Sequence, residues 1–199
     1  MPEYKEIRAT YDLDTITVYQ SYNQNIGSLA AKNNKFVEPF SFNRMTWIKP
    51  SFLWMMERSN YGQKSNQECT LAIKIKRNCF EKALSEAVLT KPSSSIYKDK
   101  LAWEEEFKNS RIHVQWDPER DIHGQKLDFR SIQVGISRHL IKEFNDEWIV
   151  KIDDISPFVK KINALRLSGD YTKAKSFLPK ERIYDLPPEI CLRLGMKKL

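Results

Sequence analysis

Five segments of this chain alternate apolar and polar residues with a period of two: Ile16 and Val18; Leu71, Ile73 and Ile75; Ile112, Val114 and Trp116; Ile132, Val134 and Ile136; Trp148, Val150 and Ile152. That period sets an apolar row on one face of a strand, and between the segments the spacing changes to the i, i+3, i+4 of amphipathic helices. Such a chain buries its rows by laying helices on a sheet. The expected fold class is therefore α+β: a mixed, mainly antiparallel sheet with flanking helices. Residues 1–199 suffice for a single globular domain that needs neither disulfides nor metal to hold its core.

Residues 6–11 and 15–22 are rich in β-branched and aromatic side chains around Asp12-Leu13-Asp14, which predicts a hairpin. The face of Ile16 and Val18 continues to Gln20 and Tyr22, so it turns polar at its end. Helices are expected over Asn23 to Asn33, from Pro50 to Arg58 with the proline at the first helical position, along the stripe Cys79 to Val88, from Leu101 to about Ser110, and near Arg138 to Phe144. From Ser156 to Pro179 the pattern is a C-terminal helical hairpin packed on the domain, with Gly169 ending its first helix and Asp170 capping the second. The tail after Pro179 is expected to pack across the body or fray.

The chain carries 33 Lys+Arg against 26 Asp+Glu, a formal charge of +7, which favours nucleotides or nucleic acid as partners and serves solubility equally well. No apolar run suits a membrane, and the charged start lacks a secretory pattern, so a cytoplasmic protein is expected. Cys69, Cys79 and Cys191 are widely separated, with no CxxC pair and no histidine at ligand spacing, which argues against structural zinc. Glycine-rich phosphate loops, GxSxG, HExxH and EF-hand patterns are absent.

The candidate chemistry lies in three places. Ser51, Trp54 and Arg58 share a helical stripe beside Arg44, Trp47 and Lys49, a mixture able to hold phosphate and stack a base, although Trp54 could equally be core and Arg58 a surface cation. The strand beginning at Arg130 sets Ser131, Gln133 and Gly135 on a small polar face; glycine there marks close approach by a ligand or another backbone, or else an ordinary solvated face. Asp117, Glu119, Asp121 and His123 offer carboxylates for acid–base work, but Asp-Pro favours a turn at the strand's end. His113, out of register with Ile112 and Val114, is expected to be exposed.

The stretches Ile7-Arg-Ala-Thr-Tyr-Asp, Thr17-Val-Tyr-Gln-Ser-Tyr-Asn, Arg44-Met-Thr-Trp-Ile-Lys-Pro-Ser-Phe-Leu-Trp-Met-Met, Val114-Gln-Trp-Asp-Pro-Glu-Arg and Arg130-Ser-Ile-Gln-Val-Gly are similar to the family catalogued as domain of unknown function 4291. The likeness runs through Leu186-Pro187-Pro188-Glu189 and implies no activity. In architecture the chain more loosely resembles ADP-ribosyltransferases, which implies Arg8, Ser51 or Thr46, and Gln133 as the groups addressing NAD. Glutamine in place of a carboxylate cannot stabilise an oxocarbenium-like transition state.

The expectation is thus a nucleotide-handling or RNA-directed enzyme. Arg8, Arg44, Lys49, Arg58 and Arg130 would hold phosphate with Ser51, Trp47 or Trp54 would stack a base, and Tyr19, Gln20, Ser131 and Gln133 would orient the reacting groups. NAD and ATP are the first ligands to test. The rival is a non-catalytic nucleic-acid-binding module that uses the basic strand face of Lys74 and Lys76.

Overall fold

The computed structural model describes residues 5–196; Met1 to Tyr4, and the basic Lys197 and Lys198 of the tail, lie outside the described residues. The first half of the chain forms β1 (Arg8–Ala9), β2 (Thr15–Tyr22), α1 (Gln24–Asn33), β3 (Thr46–Ile48), α2 (Phe52–Ser59), β4 (Cys69–Lys76), α3 (Arg77–Ser85) and β5 (Val88–Leu89). Then follow α4 (Lys100–Asn109), β6 (Ile112–Arg120), β7 (Lys126–Ile136), α5 (Ile141–Glu143), a π-helical turn over Phe144–Trp148, and β8 (Ile149–Asp154). The chain continues through α6 (Ser156–Leu167), α7 (Tyr171–Ser176), β9 (Arg182–Ile183) and α8 (Pro188–Arg193).

Two larger sheets carry the alternating rows. One runs in the order β2-β4-β8, the other β3-β7-β6-β5, and every pairing is antiparallel except β5 with β6. Register sets Ile16 opposite Ile75 and Val18 opposite Ile73 in the first sheet, and Val114 opposite Val134 in the second. Their apolar rows therefore coincide and join one core, which Phe80, Phe144 and Tyr184 complete. Each fully buried side chain of this size contributes about 1.5–3 kcal/mol. The sheets meet at Tyr19 and Lys49: the Tyr19 N–H donates to the Lys49 carbonyl at 2.7 Å, and the return bond is 3.3 Å.

The fold is α+β with helices flanking antiparallel sheets, and α6 and α7 form the expected close pair. Gly169 follows α6 at φ +80°, and the Asp170 side chain caps α7 by accepting from Lys173 N–H. Several boundaries differ from expectation. The hairpin closes only at its tip, where Tyr11 bridges Ile16, while Arg8 and Ala9 pair with Ile183 and Arg182. The tail is thus tied into a two-stranded sheet, and α8 packs against α3. Pro50 precedes the cap instead of opening α2, because Ser51 supplies the capping oxygen to Trp54 N–H. Val88 leaves the helical stripe for β5, and Trp148 ends the π-helical turn, where its indole donates to Glu143. Strand β6 runs through Asp117 and Pro118 to Arg120, so the turn falls on Asp121, whose carboxylate accepts from the His123 and Gln125 N–H groups. No helix among the described residues is long and apolar enough to cross a membrane.

Candidate functional site

Because Ile112, Val114 and Trp116 face the core, His113, Gln115, Asp117 and Glu119 line the opposite face of β6, beside Ser131, Gln133 and Gly135 of β7 and Trp47 of β3. This face is polar along its length, and α2 crosses it against β6 and β2. Ser51 and Asn60 cap the two ends of α2, which fixes which of its side chains overhang the sheet.

At the β2–β3 junction, Gln20, Arg44, Trp47, Lys49 and Arg58 line a cleft of about 400 Å³. Gln20 is 3% exposed; its Nε2 donates to Thr46 Oγ1 at 2.6 Å and to the Trp47 carbonyl at 3.0 Å. Its Oε1 is buried without a hydrogen-bond partner. Tyr22 donates to or accepts from Thr46 Oγ1 at 3.0 Å, and burial pushes its phenol up to about 12.

Lys49 is the most perturbed cation of the cleft. It is 8% exposed, its Nζ donates to the Trp47 carbonyl at 2.9 Å, and the amine lies 5.7 Å from the Trp54 ring centroid. Burial, reinforced by the neighbouring Arg58 guanidinium and opposed by Asp117, lowers its pKa to about 7. An amine in that range is available as a base or nucleophile near neutral pH, a role distinct from the phosphate contact expected of it.

A second hollow, lined by Trp54, Arg58, Lys64, Asp117 and Arg120, adjoins the first through Arg58. Here Gln133 Nε2 donates to Asp117 Oδ2 at 2.7 Å and Gln115 Nε2 to Asp117 Oδ1 at 2.9 Å. Gln133 therefore orients a carboxylate in place of a ligand. The space over Gly135 is taken by side chains: a Cβ there would lie 2.8 Å from Met45 Sδ and 2.9 Å from the Trp47 ring. Arg130 lies further along, donating to the Trp116 carbonyl at 3.0 Å.

The remaining candidates gather elsewhere, in an inner polar cluster. Tyr19 is 2% exposed and packs edge-on against Phe52. Burial and the nearby Glu181 carboxyl raise its phenol far above the usual range. Arg8 is ion-paired with Glu6 and lies over the Phe129 ring. Ser51 and Ser131 are buried, and Ser131 Oγ lacks a partner of full hydrogen-bond geometry. Both hydroxyls lie near Glu119, whose carboxyl burial raises and these neighbours, with Arg8, partly restrain. Glu181 accepts from Phe52 N–H at 2.7 Å, and burial together with Glu119 pushes it up to about 8. Arg8, Ser51, Ser131 and Tyr19 thus surround a carboxyl pair and are not part of the cleft.

Extending the β6 alternation through Pro118 would have placed Asp117 and Glu119 on the site face from sequence. Nothing marked Glu181, since Lys180-Glu181-Arg182 reads as a solvated charged run. His113 is buried, with its ring 4.3 Å from Phe107 and Nε2 at 3.1 Å from the Phe107 carbonyl, because α4 covers that end of the sheet. Cys69 is buried against Gly27 and its thiol is pushed up to about 11, which makes it unreactive. Among the described residues no three His, Cys, Asp or Glu side chains group as metal ligands.

The molecule is thus an α+β protein with a basic, indole-lined cleft roofed by one short helix. It belongs to the family described as Domain of unknown function (DUF4291), whose model matches residues 6–184. Among curated proteins no sequence matches it.

Proposed function

We propose that the chain is a nucleotide-handling enzyme of the cytoplasm whose substrate occupies the cleft between β3 and α2. The carrying observation is convergence: Arg44 and Lys49 at the two ends of β3 and Arg58 on α2 line one hollow with Trp47 and, from β2, Gln20. Guanidinium groups suit phosphate, and an indole suits a base. Lys49, neutral in part at pH 7, supplies the reactive amine.

The narrower ADP-ribosyltransferase-like reading is weaker. Its basic residue Arg8 is committed to Glu6, Ser51 caps α2, and Gln133 holds Asp117. The rival reading as a non-catalytic nucleic-acid module keeps its exposed Lys74 and Lys76, but the hollow beside Lys74 is lined by Asp12 and Asp14 as well and by no aromatic side chain.

Isothermal titration with NAD, ATP and short RNAs tests the proposal. A 1:1 heat is expected for at least one ligand, weakened at least tenfold by Arg58→Ala and by Trp47→Ala. Silence across the panel refutes it.

A further inference from the structure

The helical pair α6–α7 and the turn after it carry most of the molecule's charge. Residues 156–180 hold six Lys and Arg against one Asp, a net +5 out of the +7 of the whole chain. Lys160, Lys161, Lys173, Lys175 and Lys180 are all exposed, and among the described residues none of them lies within ion-pair distance of a carboxylate. The lone acid, Asp170, is occupied in capping α7, and Arg166 turns inward, bonded to Asn163 and lying over the Tyr61 ring. Five like charges without counter-charges set up a field that draws polyanions.

Packing decides which side these lysines take. Val159 and Ile162 of α6 join Tyr19, Phe52, Met55 and Met56 in a second apolar cluster, with Phe158, Phe177 and Leu178 packed against it. Helical spacing then turns Lys160 and Lys161 to the opposite side of α6. Lys161 Nζ stands 3.9 Å from the centroid of the Phe177 ring, so the α6 lysines lie beside the end of α7, where Lys173 and Lys175 flank the buried Ala174. Ser168, Thr172 and Ser176, also exposed, add hydroxyl groups. The aromatic rings of the pair are all engaged: Phe158 against Phe52, Tyr171 against His123, and Phe177 under Lys161. Leu167 is its one large apolar side chain in the open.

This composition selects the partner. Lysine is depleted at protein–protein interfaces, and a single exposed leucine offers no apolar centre for one to form around. Binding in a bilayer surface requires an apolar face beside the basic one, and here the apolar face is turned into the core. Single strands are held by stacking on free rings, and the pair has none free. Lysines and hydroxyls without groups that read bases fit a phosphate backbone. We infer that α6–α7 is a docking surface for the phosphate backbone of double-stranded nucleic acid, bound irrespective of sequence through Lys160, Lys161, Lys173, Lys175 and Lys180. The inference stands apart from the nucleotide reading of the cleft, and neither needs the other.

Fluorescence anisotropy with labelled 20-base-pair duplexes of two unrelated sequences and a 20-nucleotide single strand, alongside sedimentation with vesicles containing 30% phosphatidylserine, tests it. Both duplexes are expected to bind alike and more tightly than the single strand, with a log–log salt slope of about −3 to −5, while the vesicles sediment without the protein. The triple variant Lys160→Glu, Lys173→Glu, Lys175→Glu is expected to weaken duplex binding at least thirtyfold. Lys82→Glu, Lys98→Glu, Lys108→Glu, at exposed positions elsewhere and with the same change in net charge, is expected to weaken it less than threefold. Glutamine at the same three positions of α6–α7 removes the charge with less disturbance and gives the same ordering if the reversals unsettle the fold, which thermal melts report. Absence of duplex binding at low salt, tighter binding of the single strand, co-sedimentation with the vesicles, or an equal loss in the two triple variants overturns the inference.

Discussion

Gln133 donates its amide to the Asp117 carboxylate across the β6–β7 pair, at 2.7 Å, while Gln115 holds the other oxygen of the same group. Asp117 in turn is the anion that partly offsets the burial of Lys49. Asp117→Ala is expected to leave two amides without their acceptor, costing about 1–3 kcal/mol, and to lower the Lys49 pKa further. Urea unfolding reads the first effect. Faster modification of Lys49 by an amine-directed reagent at pH 7, located by peptide mass spectrometry, reads the second.

Lys49 fixes a second pH dependence. Its folded pKa of about 7 lies below its ordinary value of 10.5, so between those limits the unfolded chain binds the extra proton and stability rises with pH. Below pH 7 the cost of the buried ammonium is felt in full. Lys49→Met is therefore expected to stabilise the protein by about 1–3 kcal/mol at pH 6, with the advantage shrinking toward pH 10, while activity is lost. Thermal melts of both proteins across that range decide it; an unchanged difference at all pH values would remove the reactive-amine assignment.

Glu181 has the opposite sign. Its folded pKa of about 8 stands above the ordinary 4.5, so its contribution is fully present below pH 4.5 and is lost as pH rises through 8. Glu181→Gln keeps an oxygen for the Phe52 N–H and removes the titration. The variant is expected to melt close to the wild type at pH 5 and above it at pH 9.

Gly135→Ala places a methyl against Met45 and the Trp47 ring, 2.8 and 2.9 Å away. The indole must shift out of its position in the cleft, with an expected stability loss of about 1–3 kcal/mol and a loss of nucleotide affinity comparable to that of Trp47→Ala. Tryptophan fluorescence and titration calorimetry on the same samples check both.

The strands were legible because Ile16, Ile73, Val114 and Val134 sit in rows whose period has one structural solution, and the helical pair around Gly169 because glycine and aspartate mark its corner. The partner of β1 was not legible: Arg8 and Ala9 are too short a run to specify register, and their pairing to Ile183 and Arg182 is a tertiary choice. In the site, Arg44, Trp47, Lys49 and Arg58 were recognisable by type and do meet. Tyr19 and Ser131 lie apart from the cleft for a common reason. Period-two alternation shows which face a side chain takes, but not that α2 and residue 181 close over it. Lys49 was identified as a cation, yet its lowered pKa depends on burial that no spacing in the sequence encodes.

The bond from Phe52 to Glu181 spans 129 residues. On the ribosome, then, the start of the helix bearing Trp54 and Arg58 emerges long before the side chain that anchors its first free N–H has been translated. A nascent chain can pair its early strands while the start of this helix still lacks its final fastening, which arrives only with the last fifth of the chain.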